Sequence, residues 1–473
     1  MNLLKVSVII PAYRGAKYLG KAIQSVLDQT YTNFELIIVN DASPDNTTEV
    51  VESFNDPRIK YLVHEKNMGV SQARDTAILA STGDIIAFLD QDDFIHPEKL
   101  QLHVSLFEKR PDVGFSYNAR FELNYSEETI REIWRPPVNI SLKDLVLSFP
   151  IAPSDALVRR QWALRFNPQK HDLSWTGGEI AIFGGLLLDG CKFACVNRAL
   201  NYRRHHTGRV FKDLAGGCAS EIRCQNIIFD DPRCPEDVLA LQNVAHANIY
   251  TFWAYRAFVQ DETELGQEFL RKAVQWNPSI LSGHPCELVN TLVVTCSDDK
   301  NIDHAALLKH VFAQLPSEMT CVADQLNWAI ARGFLLKAAR AIMWDRPEDG
   351  NIYYKEAKHL NASVDQSYLE QLIKHILDYE LEYGKSAAKK ILKAWAPYLE
   401  RIGGRPVVRR LHSIYSINRA FENFNSGNFT NVPRMVINSI LNDPKNLMNL
   451  GVLTIFMRST LSRLKKSEDC GTG

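Results

Sequence analysis

Three carboxylates fall within four residues at Asp90-Gln91-Asp92-Asp93, directly after the apolar run Ile85–Leu89. Like charges this close repel one another, and folding alone gives no reason to gather them. A divalent cation with hard oxygen ligands, Mg2+ or Mn2+, resolves the conflict. Such a cation also bridges the oxygens of a diphosphate and draws off charge as a leaving group departs. Asp41 follows the apolar run Phe34–Val39 in the same way. Its carboxylate can accept from a base N–H or a ribose hydroxyl, or it caps the turn that Ser43 and Pro44 make. Tyr13 lies just past Val6–Pro11 and either stacks on a nucleobase or belongs to the core. Arg74 faces a phosphate, or it pairs with Asp75 or Asp84.

The elements that must position these residues alternate in type. The continuous apolar runs Val6–Pro11, Phe34–Val39, Ile59–His64 and Ile85–Leu89 read as strands. Between them Ala16–Gln29, Asp45–Phe54 and Gly69–Ser81 have helical period. Buried strands separated by short helices describe a parallel sheet covered on both faces. Sheets of that kind bind ligands beyond the carboxyl ends of their strands, which is where Tyr13, Asp41 and the acidic run lie. From Pro111 to Tyr202 the pattern is mixed, with strand-like Val113–Tyr117, Ala156–Val158, Phe193–Val196 and Leu200–Arg203. Beyond Asp230–Pro235 almost everything has helical period. The expected fold class is α/β, a mainly parallel nucleotide-binding sheet between helices, followed by an all-α domain. The expected domains are 1–210 (halves 1–110 and 111–210), a linker at 211–235, and a helical domain at 236–473. Leu270–Pro278 and Val436–Pro444 resemble the end of a helix-hairpin repeat, though no regular period joins them.

Composition bounds the function. Lys+Arg 54 against Asp+Glu 55 leaves a formal charge of −1, which argues against nucleic acid as a partner. The N-terminus has no signal-peptide layout, and no apolar stretch approaches the roughly 20 residues of a membrane span, so a cytoplasmic location is expected. Leu447–Lys466 is amphipathic with a basic end; it packs on its own domain or lies at a membrane face or against a partner protein. Nine cysteines without framework spacing are expected to be free thiols. Cys191, Cys195, Cys218, Cys224 and Cys234 crowd near His205 and His206, yet their separations match no common zinc module.

The runs PAYRGAKYLGKAIQSVLDQTYTNFELIIVNDASPDNT and NMGVSQARDTAILASTGDIIAFLDQDDFIHPEKL resemble the inverting family 2 glycosyltransferases of GT-A fold. The resemblance is dense over Lys5–Val113 and looser to about Arg209. It implies that Pro11, Tyr13 and Asp41 hold the nucleoside, usually uridine; a phosphate-facing Arg74 would join them in binding the donor. It also implies that Asp90 and Asp92 form the metal-binding Asp-x-Asp motif, Asp90 serving the donor too. Tyr202-Arg203-Arg204-His205-His206 is similar to the family's closing Tyr-Arg-x-His element. By that similarity His205 is a third metal ligand or a diphosphate contact, with Arg203 or Arg204 near the phosphates.

The family's general base, counted back from Gly190, falls on Glu179, with Asp172 in reserve. Gly178 stands where an acidic neighbour is usual, and Asn40 where a second Asp is more common. The implied reaction is direct displacement. Glu179 deprotonates an acceptor hydroxyl of a glycan, lipid-linked saccharide or protein, which attacks the sugar of a nucleotide diphosphate donor, expected to be a UDP-sugar. The competing readings are a nucleotidyltransferase, a scaffold with a vestigial site, and a lipid-phosphate mannose transferase. The first should carry a Gly-rich basic loop after its first strand, and PAYRGAKYLG does not.

Overall fold

The computed structural model describes residues 3–124, 130–165, 178–205, 213–298 and 302–469. Strands β1 (Val6–Ala12), β2 (Phe34–Asn40), β3 (Ile59–Val63) and β4 (Ile85–Phe88) alternate with helices α1 (Ala16–Leu27), α2 (Thr47–Glu52) and α3 (Val70–Ala80). They lie in the order β3-β2-β1-β4, all parallel, with Ile9 opposite both Ile37 and Phe88. The apolar runs are continuous because both faces are covered. Val6, Val8 and Ile10 pack in one layer with Leu19, Ile23 and Val26 of α1. Ile9, Ile37 and Val39 pack in the other with Ala73 and Ala77 of α3. Each fully buried Val, Leu or Ile among them contributes about 1.5–3 kcal/mol.

The chain continues through β5 (Phe94–Ile95), α4 (Lys99–Lys109), β6 (Val113–Asn124), β7 (Ile130–Trp134) and α5 (Leu142–Ser148). Next come β8 (Ala156–Arg159), α6 (Arg160–Ala163), α7 (Gly178–Leu188), β9 (Lys192–His205) and α8 (Leu214–Phe229). β8 joins the edge of β4 antiparallel, and the sheet runs on through β6 and β9 to β5. Here the sheet is mixed: β6 and β9 are parallel, while β8, β7 and β5 pair antiparallel to their neighbours. The two short strands expected at Phe193–Arg203 are one strand, because β9 pairs with β6 along most of its length through small shifts of register.

Residues 213–235, within the expected linker, hold α8 and part of a packed layer. Ile228 and Phe229 cluster with Ile180 of α7 and Val146 of α5. A Cβ on Gly184 would stand 2.8 Å from Ile228 Cγ1 and closer still to Cδ1, so glycine permits this approach of α7 to α8.

The chain divides into two compact units, Met1–Ala329 and Ile330–Gly473. The first therefore includes the sheet, α8 and several helices beyond it. The second is helical, with Gln366–Tyr383, Lys385–Asn425, Val432–Asn442 and Leu450–Asp469 as its later helices. Its core includes Ala420, Val432, Val436, Val452 and Ile455. The two look-alike segments share a local form: a helix ends, Asn277 or Asp443 accepts the N–H two residues on, and a proline opens a 3-10 turn.

Candidate active site

The acidic run sits at the end of β4, and its three carboxylates meet three different surroundings. Asp93 is buried; it accepts from Ser154 Oγ at 2.7 Å and from the Arg204 N–H at 3.2 Å. Burial, then the charges of Asp92 and Asp90, hold its carboxyl well above the ordinary range. The Ser154 hydroxyl also accepts the Asp90 N–H at 3.1 Å, and buried Lys99 donates to the Ser154 carbonyl. Asp90 Oδ1 accepts from Arg74 Nη2 at 2.7 Å. Asp92 is half-buried, and its carbonyl accepts from the Arg204 guanidinium. The repulsion that pointed to a cation is thus relieved in part by the protein itself, through Arg74, Ser154 and Arg204.

Asp41 closes β2 as expected, but much of its hydrogen-bonding capacity is used internally. Its carboxylate accepts the N–H groups of Met68 and Gly69, each at 2.8 Å, and meets His64 Nδ1 at 2.7 Å. Gly69 has φ 90°, a conformation that favours glycine, and it opens α3. A carboxylate offers about four acceptor positions, so room for one ligand donor remains. Asn40 is buried, with Oδ1 on the Ser43 N–H and Nδ2 on the Tyr61 hydroxyl. Its amide therefore clamps the turn at the position where the resemblance more often has a second Asp.

Pro11 is buried within β1 opposite Val39. Tyr13 is 37% exposed, which disposes of the core reading. Its N–H and carbonyl are both held by the Gln91 amide, at 2.9 and 2.8 Å. Gln91 lies across Gly15 so closely that a Cβ there would collide with it. This link between the β1 and β4 loops was missed in the sequence, where Gln91 reads only as the spacer between two aspartates.

Arg74 pairs with neither of the acids expected of it, Asp75 or Asp84. On the buried face of α3, it donates through Nη1 to Glu179 Oε1 at 2.6 Å and through Nη2 to Asp90. Burial disfavours its charge, but Asp90 and Glu179 outweigh that and raise its pKa. One guanidinium thus joins the strand-end acid of β4 to the acid that opens α7. Beside them a cavity of about 40 Å3 is lined by Ser71, Arg74, Asp75, Phe88, Phe183 and Glu179. Burial pushes Asp75 up to about 6. Glu221 of α8 accepts from Trp253 Nε1 at 2.7 Å; burial and the charge of Glu179 raise its pKa. It was missed because α8 lies where a linker was expected.

In the closing element, Arg204 rather than Arg203 touches the acidic run; it is buried, over the rings of Tyr18 and Phe94. Arg203 keeps a 40% exposed side chain, 3.8 Å from Glu122. His205 ends β9 opposite Asn124, and its side chain lies outside the described residues, as does all of Asp172. Among the described residues no group of three or more His, Cys, Asp or Glu side chains could hold a metal ion. Asp90 and Asp92 remain as a pair of oxygen donors, and Asp90 Oδ2 has no hydrogen bond among the described residues. Mg2+ commonly takes one or two carboxylates and completes its shell with water and substrate phosphates, so the pair fits such an ion. Cys191, Cys218, Cys224 and Cys234 are free and buried, and burial raises their thiol pKa values.

Comparison with known proteins bears on the same region. A beta-1,3-glucosyltransferase of Escherichia coli, named for UDP-Glc and alpha-D-GlcNAc-diphosphoundecaprenol, is 42% identical over 112 residues, 24% of this chain and 44% of its own. The chondroitin synthase of Escherichia coli is 31% identical over 135 residues, 28% of this chain and 20% of its own. The chain therefore spans less than half the length of these curated relatives. Among solved structures, a mannosyltransferase of Pyrobaculum calidifontis in complex with GDP-Man and Mn2+ aligns at 15% identity and a TM-score of 0.38, covering 68% of this chain and 87% of its own. The family model described as Glycosyl transferase family 2 matches residues 7–162, from β1 through α6 and including Tyr13, Asp41, Arg74 and the acidic run. Over those residues the chain carries a glycosyl transferase family 2 domain.

Proposed function

We propose that the chain transfers a glycosyl group from a nucleotide diphosphate sugar to an acceptor hydroxyl, inverting the configuration, with Glu179 as general base. The observation that carries this reading is the Arg74 bridge, which brings Glu179 and Asp90 to one guanidinium at the carboxyl ends of the strands. Glu179 Oε1 is spent on Arg74, while Oε2 has no hydrogen bond among the described residues and is the oxygen that takes the proton. The acceptor oxygen then bonds to the anomeric carbon as the bond to the diphosphate oxygen breaks on the opposite face. Asp90 and Asp92 would hold a divalent cation, whose chemistry is to stabilise the negative charge of the departing diphosphate. Exposed Tyr13 and the last acceptor position of Asp41 receive the nucleoside, and Arg203 contacts the phosphates. The relative named for UDP-Glc favours uridine diphosphate as the donor, and its lipid-linked acceptor is one of the acceptor classes expected here.

The test is turnover of a panel of nucleotide sugars with and without chelator. A UDP-sugar is expected to be turned over, Asp92→Ala to abolish turnover, and Glu179→Gln to bind donor while transferring nothing. Loss of leaving-group stabilisation costs about 3 kcal/mol, a hundredfold or more in rate. Equal turnover in chelator overturns the metal, and undiminished transfer by Glu179→Gln overturns the base.

A further inference from the structure

We infer that the junction between the last two helices of the second unit, Val432–Asn442 and Leu450–Asp469, is a docking surface for an anionic lipid bilayer. It stands independently of the glycosyl transfer reading. Leu441 is 74% exposed, Leu447 53%, Met448 87% and Leu450 79%, four large apolar side chains within ten residues. The exposed stripe continues along both helices. Ile437 lies one turn before Leu441, and Met457 and Leu461 lie two and three turns beyond Leu450 on the same face. The opposite faces are accounted for, since Val432, Val436, Val452 and Ile455 are buried in this unit's own core. The helices are therefore amphipathic twice over: one apolar side holds the fold and a second meets solvent.

Scattered exposed leucines need no explanation, but a contiguous set does. Charge decides the occupant. Arg434, Lys445 and Arg458 are exposed around the stripe and form no ion pair among the described residues. Residues 432–469 contain six Lys or Arg and three acids, an excess of three positive charges in a chain whose overall charge is −1. Apolar side chains rimmed by unpaired basic ones suit the boundary of acyl chains and anionic headgroups. No helix of the described residues is long and apolar enough to cross a membrane, so the contact is one of surface insertion.

The experiment is co-sedimentation of the full chain with phosphatidylcholine vesicles, with and without phosphatidylglycerol. It is run beside light scattering for mass and circular dichroism for folding. The wild type is expected to sediment with the anionic vesicles, less so as salt is raised. Leu441→Ser/Met448→Ser/Leu450→Ser should lower the partition coefficient by about a hundredfold or more, with an unchanged far-ultraviolet spectrum. Lys445→Glu/Arg458→Glu should abolish the preference for phosphatidylglycerol. No binding by the wild type, or undiminished binding by the folded triple variant, overturns the proposal. So does a dimer that the triple substitution converts to monomer, which assigns the stripe to a second copy of the chain.

Discussion

Asp75 shows how one residue in the site region ties stability to pH. Burial in the cavity beside Arg74 and Glu179 pushes its carboxyl up to about 6. The folded chain therefore holds a proton that the unfolded chain has released between roughly pH 4 and 6. Stability attributable to this group falls as pH rises through that window. Asp75→Asn is expected to be more stable than the wild type at pH 7.5 by about 1 kcal/mol, discounted for the water that reaches the group. The advantage should fade on acidification through pH 6 and vanish near pH 4. Thermal melts of both proteins across that range check it, and a difference independent of pH would assign the effect to packing instead. Asp75 was visible in the sequence only as a possible partner for Arg74; the role of Arg74 came from β4 and α7, 16 and 105 residues away.

At the scale of elements, α7 matters because its first turn carries Glu179, and its position is set by α8. Gly184 is the point of closest approach, and Ile228 is the side chain it admits. Gly184→Val should force the helices apart and cost about 2 kcal/mol. Combined with Ile228→Ala, it should cost less than the two single changes added together, because the deleted atoms make room for the new ones. Denaturant melts of the four proteins of that cycle give the coupling directly; strict additivity would mean that the two residues do not meet. The parallel half of the sheet was legible because each strand is covered on both faces and so reads as an unbroken apolar run. β9 was harder to read: its partner β6 lies some 80 residues earlier, and polar residues such as Asn197 and Arg198 interrupt its apolar pattern.

For the whole molecule, two compact units, one of them with the sheet and the other with a helical core around Val436, should not unfold as one cooperative step. Val436→Ala is expected to cost about 2 kcal/mol, to shift one of two calorimetric transitions and to leave donor turnover intact. A single transition that moves as a whole would show the units to be one thermodynamic body. The expected domain break near residue 235 rested on a change from mixed to helical period. Compactness instead follows contacts, and α8 with the helices after it packs in the same unit as the sheet.

By itself the sequence determined the parallel β-α order, the placing of Tyr13, Asp41 and Asp90–Asp93 at strand ends, and the family resemblance. Those features are written locally, in apolar period and in short spacings. Only the tertiary structure decided which charges meet. A guanidinium on α3 chooses its partners by the approach of β4 and α7, and Asp93 turns inward because Ser154 and Arg204 arrive from β8's and β9's side of the sheet. Side-chain pairing depends on distances of a few ångströms between distant segments, and no local pattern encodes them.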